Sequence, residues 1–151
     1  MKIKDVELKL ISELMKNSRR SDRELANATG VSQPTVSRVI KKLESEGIIR
    51  EYTMVPDFHK LGFEILAFTF LGTTGEPTLG NLKNVVMFER GLGLKNDCVV
   101  VSLHDGFPSY LAFKRQLESL NLSKSESFLV NLTDSHGFLT FSSLAEWLKK
   151  K

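Results

Sequence analysis

The chain has 151 residues, 41% hydrophobic and 26% charged, ordinary proportions for a folded protein of one large or two small domains. Its net charge is +3. Residues 1–60 hold twelve Lys and Arg against nine Asp and Glu, and residues 61–151 hold nine of each, so the excess falls where an anionic polymer would meet the first part of the chain. No apolar run approaches the ~20 residues that cross a bilayer. MKIKDVELKL has no signal-peptide core, and the single Cys98 allows no internal disulfide and fits a reducing cytoplasm.

Asp5 is placed to cap a first helix running to about Asn17, with Val6, Leu10 and Leu14 repeating at i+4 and Ile11 and Met15 widening the stripe. Ser18-Arg19-Arg20 interrupts it. Ser21 with Glu24 three residues on forms a capping box for a second helix, and Gly30 supplies the left-handed backbone of a sharp inter-helix turn. Ser32 is a suitable N-cap for a third helix, Pro34 falls in its first turn, and Gly47 closes it. Ala26, Gly30 and Val36 thus put a small residue at the helix contact, a glycine in the turn and an apolar residue in the core. This is the pattern of a helix-turn-helix, a device that lays its second helix in the major groove of DNA.

In the third helix Val36, Val39, Ile40 and Leu43 mark the buried face. The candidate DNA-reading residues are Ser32, Gln33, Thr35, Ser37 and Arg38 for bases and nearby phosphates, because Gln pairs with adenine, Arg with guanine, and hydroxyls with either. Lys41 and Lys42 are candidates for the DNA backbone. Arg19 and Arg20 are further phosphate candidates, since the first helix of such a motif crosses the backbone. Arg50 joins them from the segment after Gly47. That segment, from Ile48 to Val55, reads as an extended run, either a minimal wing or a strand leaving the head. Residues 1–56 are therefore expected to be a winged helix-turn-helix domain of three helices, and 57–63, ended by Gly62, a linker.

From Phe63 the period changes. Strands are expected at 65–71, 84–90, 97–103 and 127–132, with a Gly- and Pro-containing loop over 72–80 and an amphipathic helix over 108–120. Strand, loop, strand, strand, helix, strand is the order of a ferredoxin-like antiparallel α/β sandwich whose first crossover helix is shortened. A short extended piece over 138–141 and a helix anchored by Leu144, Trp147 and Leu148 complete a second domain, 64–151. The fold class is α+β.

The motifs SDRELANATGVSQPTVSRVIKKLESEGIIREY and PDFHKLGFE, with the first helix before them, resemble the Lrp/AsnC (feast/famine) family of transcription regulators. The resemblance implies double-stranded DNA as partner, a homodimer or higher assembly of dimers, and a small effector such as an amino acid held between C-terminal domains. The positions it carries over for that effector are Gly93 and Asp97. No cofactor and no membrane partner is implied.

Other chemistries are weaker. Gly91-x-Gly93 precedes a Val-rich strand, not the helix a dinucleotide site needs. Cys98 has no base near it in sequence, and His59, His104 and His136 lack zinc spacing. Sirohaem decarboxylases share the two-part architecture, but such a site would draw on only His104, His136, Arg90 and Arg115. A winged-helix module that binds protein or RNA is the remaining alternative. An enzyme is not expected.

Overall fold

A computed structural model describes residues 3–73, 82–91, 98–120, 122–134 and 141–148. Residues 1–55 with 138–151 form one compact unit and residues 56–137 a second.

The first unit is built on α1 (Asp5–Lys16), α2 (Asp22–Thr29) and α3 (Gln33–Ser45). Ser21 Oγ accepts from the Glu24 N–H while the Glu24 carboxylate accepts from the Ser21 N–H, so the expected capping box opens α2. Gly30 ends α2 at φ +73°, a left-handed conformation that costs an L side chain about 1–2 kcal/mol. Leu10, Leu14, Leu25, Ala26, Val36, Val39 and Leu43 close into one core between the three helices. Leu10, Val36 and Leu43 are wholly removed from water, each worth roughly 1.5–3 kcal/mol relative to exposure.

Four details differ from the sequence pattern. Lys4, not Asp5, is the N-cap of α1, and its N–H donates to Glu7 Oε2 at 2.7 Å. Ser32 occupies the α3 N-cap but turns its hydroxyl to Thr35 Oγ1 at 2.9 Å rather than to a backbone N–H. The run expected to be extended after Gly47 forms no strand. Ile48 and Ile49 fold back on α3, both N–H groups donating to the Leu43 carbonyl, and 50–55 has no regular structure. A strand needs a paired neighbour, and none of the described residues offers one there.

The fourth concerns α5 (Ser142–Leu148). The sequence pattern puts this helix with the second domain, whereas it belongs to the first unit and packs on α1. Its buried anchor is Ala145, while Leu144 and Trp147 are about half exposed. Ser12 Oγ donates to the Ala145 carbonyl at 2.7 Å, and Lys16 pairs with Glu146. A small residue is what lets two helix backbones approach closely enough for that bond.

The second unit is a four-stranded antiparallel sheet in the order β2-β3-β1-β4, from β1 (Ile65–Thr73), β2 (Val85–Arg90), β3 (Cys98–His104) and β4 (Leu122–Asn131). α4 (Phe107–Glu118) covers one face. The α+β class and ferredoxin-like order agree with the sequence pattern. Residues 57–62 form a turn closed by Gly62 at φ +89° and belong to this unit. β1 runs two residues further than expected and β4 begins five earlier, at Leu122. β4 is an edge strand whose start, Lys124 to Glu126, pairs with Gly72 to Phe70 of β1, the register shifting between Gly72 and Thr73. Most of the loop expected over 72–80 lies outside the described residues.

Under α4, Leu71, Cys98, Val100, Phe113 and Leu117 form the core. Cys98 is buried there. The opposite face carries a cross-strand row, Met87–Val101–Phe68–Phe128. Phe128 is 65% exposed, and Met87 and the nearby Phe70 are 43% exposed.

Candidate nucleic-acid interface

α3 is amphipathic in a way that sorts its candidate residues. Val36, Val39 and Leu43 fix its inner side in the core. Pro34, Arg38, Lys41 and Ser45, spaced i, i+4, i+7, i+11, are all exposed and form the opposite, outward strip. Among the described residues no ion pair engages Arg38 or Lys41, and the same holds for Arg19, Arg23 and Arg50. Gln33 is exposed at the start of α3, and Thr35 is half-buried, tied to Ser32.

The flanks of the strip are occupied. On one side Lys42 reaches α1, its Nζ 2.6 Å from Oε1 of Glu7, a carboxylate only 3% exposed, with Glu46 at 3.7 Å. The hydrogen bond from Lys42, and then the Lys4 N–H, hold the Glu7 carboxyl below the usual carboxylate range, and the same bond raises Lys42. The ammonium expected to serve the DNA backbone is thus committed within the protein. Arg20 is likewise paired with Glu13, which Lys16 also approaches.

On the other side Ser37 Oγ donates to Asp22 Oδ2 on α2, with the Gln33 carbonyl also in reach at 3.2 Å. Tyr52, half-exposed, donates its hydroxyl to Glu44 Oε1 at 2.8 Å. Desolvation of that hydroxyl, reinforced by the bond to Glu44, pushes the phenol up to about 12. Asp22, Glu44 and Tyr52 are the residues sequence reasoning misses. Asp22 reads only as a favourable acid in the first turn of α2, and nothing in the spacing marks it as a partner for a residue fifteen positions on.

Gly93 and Asp97 lie outside the described residues, as does His136. His104 is fully buried beneath α4, its ring centroid 5.0 Å from that of Phe113 and 5.6 Å from that of Tyr110. Arg90 is exposed on β2, an edge strand. Among the described residues no cluster of three His, Cys, Asp or Glu side chains could hold a metal, and no helix is long and apolar enough to cross a membrane.

A protein-family model described as winged helix-turn-helix DNA-binding matches residues 3–50. The HTH-type transcriptional regulator LrpC of Bacillus subtilis is 43% identical over 65 residues, 43% of this chain and 45% of LrpC. An uncharacterized HTH-type transcriptional regulator of Pyrococcus abyssi, PYRAB00690, is 32% identical over 102 residues, covering 63% of this chain and 68% of the relative. The chain belongs to the Lrp/AsnC family of transcriptional regulators. It spans about half the length of several curated relatives that it matches, 45% of LrpC and 51% of PF1734 from Pyrococcus furiosus.

The Lrp/AsnC architecture extends beyond those alignments. The crystal structure of PH0061 superposes with a TM-score of 0.78 at 26% identity, over 91% of this chain and 97% of that one. A structure titled as the complex of the regulator NMB0573 of Neisseria meningitidis with L-Met shares the fold, with a TM-score of 0.78 at 18% identity over 95% of this chain and 99% of the other.

Proposed function

We propose that this Lrp/AsnC chain is a sequence-specific DNA-binding regulator that acts as a homodimer, one α3 per subunit entering successive major grooves. The observation that carries the reading is the outward strip of α3. A helix fixed by three core side chains presents Arg38 and Lys41 with no acid engaging them among the described residues, beside an exposed Gln33. Arg19 and Arg50, exposed in the same unit, add phosphate contacts. Two copies pair through the open sheet face, around Phe70, Met87 and Phe128, and a two-fold DNA site would offer their α3 helices half-sites one helical turn apart, ~34 Å.

The effector is an amino acid or a similarly small polar molecule. This rests on the family and on the L-Met complex of the Neisseria relative, with Gly93 and Asp97 as the candidate positions.

The test is binding to random duplex and to the upstream region of the protein's own gene across a salt series. Phosphate neutralisation makes affinity fall as salt rises, by nearly one power of salt for each phosphate the protein engages. Arg38→Ala with Lys41→Ala is expected to weaken random-duplex binding about tenfold and to lower the salt slope by up to about 2. Absence of binding to either duplex at low salt defeats the reading.

A further inference from the structure

Ser37 sits on the flank of the α3 strip, close enough to the outward face to meet a base edge. A serine hydroxyl has one proton and two acceptor lone pairs. Here the proton is directed inward, because Ser37 Oγ donates to Asp22 Oδ2, and the other group in reach, the Gln33 carbonyl, is also an acceptor. Neither has a hydrogen to give back. Ser37 therefore shows lone pairs outward, and the second oxygen of Asp22, exposed on the first turn of α2, adds another acceptor beside it.

We propose that the Ser37–Asp22 pair is a specificity element that selects a base carrying an amino group in the major groove. Adenine N6 and cytosine N4 are the only major-groove donors, whereas guanine offers N7 and O6 and thymine offers O4, all acceptors. An acceptor-only surface accepts the first two and sets lone pair against lone pair for the other two. Asp22 acts here as a positioning residue for the Ser37 proton as well as a contact in its own right. The bland role for Asp22, an acid stabilising the N-terminus of α2, leaves base choice untouched, so base choice is the readout.

The inference rests on the DNA reading, and its test separates the two. Sites are selected from a randomised duplex pool by the full chain, Ser37→Ala, Asp22→Ala and Asp22→Asn, each checked by its melting profile. The position that Ser37→Ala relaxes is then varied base by base in anisotropy titrations. The unaltered protein is expected to prefer A or C there about tenfold over G or T. Asp22→Ala leaves the Ser37 proton only the longer bond to the Gln33 carbonyl and takes away the second acceptor, and should reduce that preference to about twofold. Asp22→Asn adds an amide donor and should admit G or T. A preference for G or T in the unaltered protein, no position altered by Ser37→Ala, or an unchanged preference in Asp22→Ala overturns the proposal while DNA binding stands. A protein that binds no duplex at low salt overturns the DNA reading, and this inference with it.

Discussion

The two units of the chain handle buried polarity differently. In the helical unit the buried charges have partners: Glu7 is held by Lys42 and the Lys4 N–H, and Glu13 by Arg20 and Lys16. The fully buried hydroxyl of Ser12 is bonded to the α5 backbone. In the sheet unit His104 is fully buried with Nε2 2.9 Å from Ser102 Oγ, yet its Nδ1 has no hydrogen-bond partner among the described residues. The sheet also leaves large apolar side chains in water opposite α4. A buried polar atom without a partner and an uncovered apolar face both cost free energy. Among the described residues the helical unit partners its buried polar groups, whereas the sheet unit keeps an unpartnered His104 Nδ1 beneath α4 and an open apolar face on its other side.

The sharpest way to break that contrast is to damage the helical unit. Leu43→Ala should cost roughly 2–5 kcal/mol in chemical denaturation and abolish duplex binding while the sheet unit keeps its own signal. Loss of both signals together would show that the units are not separable. Phe128→Asp probes the other side. Charge at the most exposed aromatic of the open face should raise the dimer dissociation constant at least about 100-fold, or about 2.7 kcal/mol, in sedimentation. The helical unit's melting should stay unchanged. If the unaltered chain is monomeric at every concentration, pairing through this face is refuted.

Smaller changes sharpen the comparison. Gly30→Ala meets no steric obstacle to its Cβ but keeps φ +73°, so it should cost about 1–2 kcal/mol from backbone strain alone. Thermal melting of the helical unit would register that cost.

The smallest effect is the most selective. Desolvation lowers the His104 pKa below the ordinary imidazole value, only partly opposed by Asp105. The unfolded chain therefore binds the proton more readily, and the sheet unit loses stability as pH falls below about 6.5. Glu7 has a depressed carboxyl, so its contribution is present above the ordinary carboxylate range and is lost only as pH falls through it. Acid should thus loosen the sheet unit first. His104→Gln should remove the step near neutrality, and simultaneous acid unfolding of both units would contradict the assignment.

Much of this was legible in the sequence, for local reasons. The capping box at Ser21, the left-handed glycines at 30 and 47 and the core positions of α3 depend on neighbours within a few residues. The strand order was legible too, because connection rules leave few alternatives for strand, strand, helix, strand. What escaped depends on distant partners. Lys42 reads as a cation for the DNA backbone until Glu7, 35 residues earlier, is brought against it. Ser37 reads as a free hydroxyl until Asp22 claims its proton. Leu144 and Trp147 read as anchors because they are large, whereas the close approach to α1 selects the small Ala145.

The bond between Ser12 and the Ala145 carbonyl spans 133 positions of sequence. While the chain is being synthesised, the face of α1 around Ser12 stays bare until residues 141–148 have been made. A truncation before residue 141 therefore acts on the DNA-reading unit as directly as a substitution within it, although the site altered is the part of the sequence most remote from α3.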